Sequence, residues 1–339
     1  MYQAPITEAI ILKVLVPYGD ELADKIRDIV GDMATVVQST GAIESMLENG
    51  RDAEIIASGR VSSEFIQAAS NLRMIQAFGA GVDKVDFQAI EEHGKIIVCN
   101  SHVNAAEVAE YAITLLFTVA KNILASDKEI RLGDWRQSWG GPLPNIEIRG
   151  KTCLMLGLGN IGSEIAKRLR VLGVKINALT HSGTARDGDL VEKVVSMEDY
   201  EDLVQNADFV MLSLPLTKKS EGLVDAKFIS QMKESAILVN ISRGHIIEEA
   251  ALYKALKEKR IYGAALDVWW EYPKKWGGSG KLPSEQFPFH ELDNVVLSPH
   301  RAAYSENIRK DQIAFVGENI LRFLRGEKPL NIIDTKLGY

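Results

Sequence analysis

The chain has 339 residues and a formal net charge of −7, with 46% hydrophobic residues, 25% charged ones and two cysteines. That is long enough for two compact domains, and the acidic balance, without a basic block of five or more residues, argues against nucleic acid and anionic membranes as partners. Cys99 and Cys153 stand in apolar runs without metal-ligand spacing, so both read as buried thiols, compatible with a reducing compartment, and no metal is implied.

The opening Met1-Tyr2-Gln3-Ala4-Pro5 lacks a charged n-region. The apolar run at 9–16 is short and contains Lys13, which makes it a first strand and not a signal peptide. No stretch reaches membrane-spanning length, and a cytoplasmic location is expected. Short β-like runs at 13–16, 35–37, 55–57, 74–77 and 96–99 alternate with helical stretches at 21–30, 62–70 and 86–93. Such alternation implies a parallel sheet with helices on both faces. Phe78-Gly79-Ala80-Gly81-Val82-Asp83 directly follows a strand. In an open parallel sheet, the backbone N–H groups of that loop can hold an anion such as a carboxylate; a plain flexible turn is the alternative.

From Asn104 a helical pattern runs through Ala105, Val108, Ala109, Ile113 and Leu116 to about Ile123. Asn104 reads as its N-cap, with Glu107 as the reciprocal member of a capping box. Residues 133–150 hold Trp135, Trp139, prolines and glycines, and read as a loop connecting two domains. The strand-length run at 152–156 then ends in Gly157-Leu158-Gly159-Asn160-Ile161-Gly162, and Ile161, Ile165, Leu169 and Leu172 follow at helical spacing. A G-x-G-x-x-G at a strand-to-helix turn suits a diphosphate. Gly157 permits the tight turn, Gly159 permits close approach of the backbone, and Gly162 permits close helix packing. Further strands at 174–179, 208–214, 236–240, 263–268 and 294–298 complete six with intervening helices, which matches the doubly wound dinucleotide fold. The last helix, 306–325, has an apolar face and is expected to pack back on the first domain. The resulting boundaries are 1–103 with 304–339 for one discontinuous domain, and 104–303 for the other.

Four blocks follow the glycine loop in a fixed order: Leu214-Pro215-Leu216-Thr217, Leu238-Val239-Asn240-Ile241-Ser242-Arg243-Gly244, Gly263-Ala264-Ala265-Leu266-Asp267-Val268, and Asn294-Val295-Val296-Leu297-Ser298-Pro299-His300. In these the chain resembles the D-isomer-specific 2-hydroxyacid dehydrogenase family, over nearly its whole length. The resemblance implies an α/β protein of two doubly wound parallel-sheet domains, a flavodoxin-like substrate domain and a Rossmann dinucleotide-binding domain. It implies an oxidoreductase that moves a hydride between NAD(P)H and a 2-keto acid, giving an (R)-2-hydroxy acid, with glyoxylate- or hydroxypyruvate-like substrates. It also implies a homodimer in which domain closure gates the cleft. Cofactor-binding positions would be Gly157, Gly159, Asn160, Ile161, Gly162, Thr180, His181, Ser182, Pro215, Thr217, Ile241, Arg243 and Asp267, the last toward the nicotinamide carboxamide. Ala80 and Gly81 would hold the substrate carboxylate through their backbone.

That chemistry needs a clamp for the keto acid and an acid for the new alkoxide. Arginine's planar, permanently charged fork suits the clamp, and Arg243 follows a buried strand at its carboxyl end; the alternative is a surface ion pair. Histidine is the natural proton donor near neutral pH. Of six histidines, His93, His245 and His290 read as loop or surface residues and His102 is a minor candidate; His300 ends the last strand in the family's Pro-His motif. The family places a glutamate five residues after the Asp267 position, just before a proline, to pair with the histidine. Here Asp267-Val268-Trp269-Trp270-Glu271-Tyr272-Pro273 puts Tyr272 at that spacing and Glu271 one residue early. Glu271 reaching His300 through a local shift is the preferred reading, making it the third catalytic residue; Tyr272 supplying a neutral hydrogen bond is the other.

Eighteen residues after Gly162, where an acid would bind the ribose diol of NAD, the strand ends Ala178-Leu179-Thr180-His181-Ser182, with Arg186 nearby. Nothing there repels a 2′-phosphate, so NADP is preferred over NAD. Arg301, beside His300, either receives an additional anionic group or faces solvent. Trp269, Trp270, Tyr272 and Trp276 form an aromatic cluster, read mostly as packing or a dimer contact, with a wall of the substrate pocket as the alternative for part of it. The chain ends soon after the last helix, so the extra regulatory domain of many phosphoglycerate dehydrogenases is expected to be absent. Two rivals stay open: a nucleotide-sensing binding protein with weak or lost dehydrogenase activity, and a formate- or phosphite-type dehydrogenase.

Overall fold

The computed structural model describes residues 11–185, 187–197, 199–273 and 278–339. Arg186 and Trp276 lie outside the described residues, as do residues 1–5 and the first two positions of the 9–16 run. The chain divides into two compact units, Met1–Asn104 with Ser305–Tyr339, and Ala105–Tyr304.

In the first unit the apolar runs become β1 (Leu12–Val16), β2 (Ala34–Gln38), β3 (Ile55–Ile56), β5 (Met74–Gln76) and β7 (Ile97–Cys99), with β4 (Arg60–Val61) and β6 (Lys84–Val85) forming a separate parallel pair. The five main strands are parallel, in the order β2-β1-β3-β5-β7. Numbered along the sheet's own strands this is 2-1-3-4-5, the flavodoxin-like order. Helices α1 (Asp20–Val30), α3 (Ser63–Ala68) and α4 (Phe87–His93) connect them. The periodicity missed α2 (Ile43–Gly50), whose buried side is only Met46 and Gly50. The last helix, here α11 (Ile308–Leu324), belongs to this unit. Ile313, Val316 and Ile320 share a core with Val14, Val16 and Ile26. Gly317 lets α11 approach α1, since a Cβ there would sit 2.6 Å from Ile29 Cδ1. Cys99 is fully buried and free, and burial pushes its thiol up to about 12.

The second unit opens on α5 (Ala105–Ala120) and α6 (Ile123–Arg131). The helix from Asn104 therefore stops three residues short of the expected Ile123. Asn122, at φ 51°, breaks it, and the two helices meet at 59°. No single helix among the described residues is long and apolar enough to cross a membrane. The capping box is not formed: the Asn104 Oδ1 and Glu107 Oε2 atoms are buried without hydrogen-bond partners. Residues 133–150 are irregular, as read, but run within this unit instead of between the two.

Seven parallel strands follow among the described residues: β8 (Thr152–Leu156), β9 (Lys175–Leu179), β10 (Lys193–Val195), β11 (Phe209–Leu212), β12 (Ile237–Asn240), β13 (Gly263–Leu266) and β14 (Val295–Leu297). Their order is β10-β9-β8-β11-β12-β13-β14, the dinucleotide-binding order 3-2-1-4-5-6 with a seventh strand added. Six were predicted. β10 was missed because an edge strand of three residues buries only Val195 and leaves no periodic pattern. Helix α7 (Asn160–Val171) packs with α5 on one face, where Ile165, Leu169, Val108 and Leu116 join Met155 and Met211 in one core. Helices α8 (Glu201–Asn206), α9 (Ala226–Gln231) and α10 (Glu249–Lys257) cover the other face, around Phe209's neighbours Val210 and Leu212 with Phe228, Leu252 and Leu256. The order reverses between β8 and β11, so the crevice for a ligand opens at the carboxyl end of β8.

Candidate active site

The glycine loop occupies that crevice. Gly157 has φ 94°, a left-handed conformation that side chains rarely adopt, and its N–H donates to Leu179 O at 2.8 Å. A Cβ on Gly162 would strike the carbonyl oxygen of Gly157 and lie 2.7 Å from Ser213 Oγ, which holds helix and strand in contact. Gly159 is different: a Cβ there would meet nothing within 4 Å. It is the N-cap of α7, and no side chain caps the helix. The first N–H groups of a twelve-residue helix thus have no side-chain cap and start beside a glycine whose Cβ position is empty to 4 Å, which fits a diphosphate. Asn160 and Ile161 are the first residues of that helix. Gly162→Ala is expected to lower the melting temperature by about 5 °C, because overpacking against rigid backbone costs ~1–3 kcal/mol, and to weaken dinucleotide binding about tenfold. Thermal unfolding and cofactor titration check both; an unchanged melting temperature would contradict the close packing.

At the end of β9, Thr180 Oγ1 donates to Thr184 O at 2.9 Å, and the Ser182 and Thr184 hydroxyls lie 2.7 Å apart. His181 Nε2 lies 2.7 Å from the Nζ of Lys219, a residue of the loop after β11 that the sequence reading did not single out. Residues 180–185 contain no carboxylate. This corner presents hydroxyls, an imidazole and an ammonium. In the loop carrying Lys219, exposed Pro215 and half-buried Thr217 are turned by Ser220, whose hydroxyl donates to Pro215 O at 2.6 Å and accepts from Thr217 N at 2.9 Å.

Beyond β12, Ile241 and Ser242 are buried and Arg243 is half-buried. The backbone of this turn is fixed by Asn240, which accepts from Ser242 N at 3.0 Å and donates to Arg243 O at 2.9 Å. Gly244 is required next to Arg243, since a Cβ would sit 2.5 Å from Trp269 O and 2.7 Å from Trp270 N. Arg243 Nη1 donates to Ser242 O at 2.7 Å. The guanidinium thus springs from a rigid base, one strand away from the loop after β13.

Asp267, only 1% exposed, ends β13 and is saturated by the last loop. Its Oδ1 accepts from Ser298 Oγ and from Arg301 N (2.9 Å), and its Oδ2 from Ala302 N (2.9 Å). Trp269 adds a further tie, its indole N–H donating to Ser298 O at 2.9 Å, and Tyr111 Oη lies 2.8 Å from Ser298 Oγ. These bonds hold His300 at φ 55°, outside the range side chains prefer. The expected partnership of Glu271 with His300 is corrected. Tyr272 Oη lies 2.9 Å from His300 Nδ1, whereas Glu271 is exposed and pairs with Lys281 at 2.8 Å. Tyr272 sits at the spacing that reaches the histidine; Glu271, one residue earlier, turns to solvent. Trp270 stacks on Phe289 with ring centroids 5.6 Å apart, so that part of the aromatic cluster is packing. Arg301 is exposed and engages Asp267 through its backbone.

In the first unit, the loop after β5 has its carbonyls engaged: Gly79 O accepts from Ser101 N at 3.1 Å, and Ala80 O from Asn100 Nδ2 at 2.9 Å. Planar trans peptides then direct the N–H groups of Ala80 and Gly81 the opposite way. Each N–H is thus turned away from the bond that its own peptide's carbonyl makes, and such successive donors in a turn suit an anion.

Residues 113–302 match the model of the D-isomer specific 2-hydroxyacid dehydrogenase NAD binding domain. The chain belongs to that family. Its membership places the protein among nicotinamide-dependent oxidoreductases. The chain is 34% identical over 334 residues to a D-3-phosphoglycerate dehydrogenase of Methanocaldococcus jannaschii, covering 95% of this chain but 59% of that one. It is 31% identical to a glyoxylate reductase of Korarchaeum cryptofilum, over 86% of each chain. Among solved structures, the NADPH-dependent glyoxylate/hydroxypyruvate reductase of Sinorhizobium meliloti, in complex with NADP and malonate, superposes with a TM-score of 0.78 at 27% identity, covering 96% of this chain and 98% of that one.

Proposed function

We propose that this dehydrogenase reduces a small 2-keto acid, of glyoxylate or hydroxypyruvate type, to its (R)-2-hydroxy acid, with NADPH preferred over NADH. One observation carries the reading: Arg243 and His300 stand at the carboxyl ends of β12 and β14, flanking Asp267 on β13, in the sheet whose β8 ends in the uncapped glycine loop. The reduced nicotinamide supplies the hydride when bound. Arg243 polarises the keto oxygen and stabilises the charge that grows on it. His300 delivers the proton to that oxygen, and Asp267 keeps the loop carrying His300 in place. The donors of Ala80 and Gly81 are assigned to a substrate carboxylate on the chemistry of their loop alone. Exposed Ile123, Leu124, Leu132, Trp135, Trp139 and Leu143 support a homodimer.

Support for NADPH comes from the corner after β9. A 2′-phosphate meets the hydroxyls of Ser182 and Thr184, with Lys219 as the cation. Because a charge-assisted hydrogen bond is worth ~1.5–3 kcal/mol, Lys219→Ala is expected to raise the KM for NADPH about tenfold and to leave that for NADH within about twofold. Equal effects on both cofactors would remove Lys219 from phosphate recognition. The function itself is tested by steady-state oxidation of NADPH and NADH with glyoxylate, hydroxypyruvate, pyruvate and longer 2-keto acids. Turnover is expected, with the higher kcat/KM for NADPH. Cofactor binding without turnover would instead favour a nucleotide sensor, and reduction of NAD or NADP by formate or phosphite a dehydrogenase of that type.

A further inference from the structure

Tyr272 does more than fill the place next to the histidine. Its Oη accepts the backbone N–H of Trp269 at 3.1 Å, and the same oxygen lies 2.9 Å from His300 Nδ1. The two rings are 5.4 Å apart at 51°, so the phenol addresses the imidazole edge and does not stack on it. Between a phenol, with a pKa of about 10, and a neutral imidazole nitrogen, whose conjugate acid has a pKa of about 6.5, the hydrogen bond runs from the better acid to the better base. The N–H of Trp269 on the phenolic oxygen strengthens that donation by drawing charge from the O–H bond.

We propose that Tyr272 donates its phenolic hydrogen to Nδ1 of His300 and thereby holds the neutral ring in the tautomer that carries its hydrogen on Nε2. This rests on the reading of His300 as the group that meets the substrate oxygen. A carboxylate at the same point accepts and never donates, so it draws the hydrogen onto Nδ1 and leaves Nε2 as a bare lone pair. The phenol prepares the opposite ring. Its Nε2–H is a hydrogen-bond donor matched to a keto oxygen, which only accepts. The neutral ring thus binds the keto acid through Nε2–H, whereas delivery of a proton to the new alkoxide uses the cationic ring, which takes a second proton from solvent on Nδ1 while the phenol oxygen turns to accept from it.

The framework around the pair keeps this arrangement in register. Trp269 is bound to Tyr272 through its backbone N–H and to Ser298 through its indole, and Asp267 binds Ser298 and the two residues after His300. Tyr272 is accordingly a positioning residue acting through His300. It touches neither substrate nor cofactor in this assignment.

The test is a two-bond ¹⁵N–¹H correlation spectrum of the whole protein with ¹⁵N-labelled histidine, recorded above the pH at which His300 is neutral, with its signals assigned by their loss in His300→Asn. The expected result is a hydrogen-bearing Nε2 and a lone-pair Nδ1 in the wild type, and averaged tautomers in Tyr272→Phe. A hydrogen on Nδ1 in the wild type, or an unchanged spectrum in Tyr272→Phe, would overturn the proposal. In the same variant kcat for keto acid reduction is expected to fall about tenfold while cofactor affinity is retained, as for loss of a histidine's orienting partner. If the keto acid panel gives no turnover while the wild-type tautomer is as assigned, the functional reading fails and the tautomer assignment stands.

Discussion

Arg243→Gln is expected to lower kcat/KM for 2-keto acid reduction about a thousandfold, equivalent to ~4 kcal/mol of transition-state stabilisation. The size follows from how the residue is held. Asn240 braces the turn from both sides, and Gly244 is pressed against the backbone of Trp269 and Trp270, so the guanidinium is carried on backbone that does not yield. A preorganised charge stabilises a developing alkoxide without rearranging when the charge appears. Glutamine keeps a donor on a shorter side chain but removes the charge. Arg243→Lys is expected to recover only a small part of the loss, since an ammonium is a point charge and cannot bind two oxygens in one plane. Steady-state kinetics with a cofactor titration decides the matter: a loss below about tenfold, or a loss confined to cofactor affinity, would take Arg243 out of the chemical step.

His300→Asn is expected to reduce kcat about a thousandfold and to abolish the histidine limb of its pH dependence. Asparagine is chosen because His300 stands at φ 55°, a conformation that asparagine tolerates better than most side chains. The loop's anchors are unaffected, because Asp267 binds the backbone of Arg301 and Ala302 and the hydroxyl of Ser298. The melting temperature should therefore stay within about 2 °C, whereas Asp267→Asn, which loses a buried acceptor, should lower both stability and activity. A kcat within tenfold of wild type in a folded His300→Asn protein would assign the proton to another donor.

Much of the fold was legible because the two larger sheets are built mainly from continuous apolar runs, as strands buried on two faces require. The glycine loop was legible for a related reason: φ 94° at Gly157 and the collision awaiting any side chain at Gly162 are demands on local residue type. The edge strand β10 and the short helix α2 left little trace, since each buries one or two side chains. Asn104 and Glu107 had the pattern of a capping box without its bonds, because spacing proposes a cap and the path of the backbone decides whether it forms.

By itself the sequence determined where a dinucleotide loop lies, which strand ends carry Arg243, Asp267 and His300, and which family they resemble. Only the tertiary structure decided the partners. Tyr272 and not Glu271 meets His300 across 28 positions, Lys219 joins His181 across 38, and Asp267 binds the loop of His300 across 34 and 35. Strand formation follows from the apolar pattern of a few consecutive residues, whereas a hydrogen bond between two loops depends on how the sheet brings their ends together and which way each turn directs its side chain. One residue of offset was enough to exchange a carboxylate for a phenol.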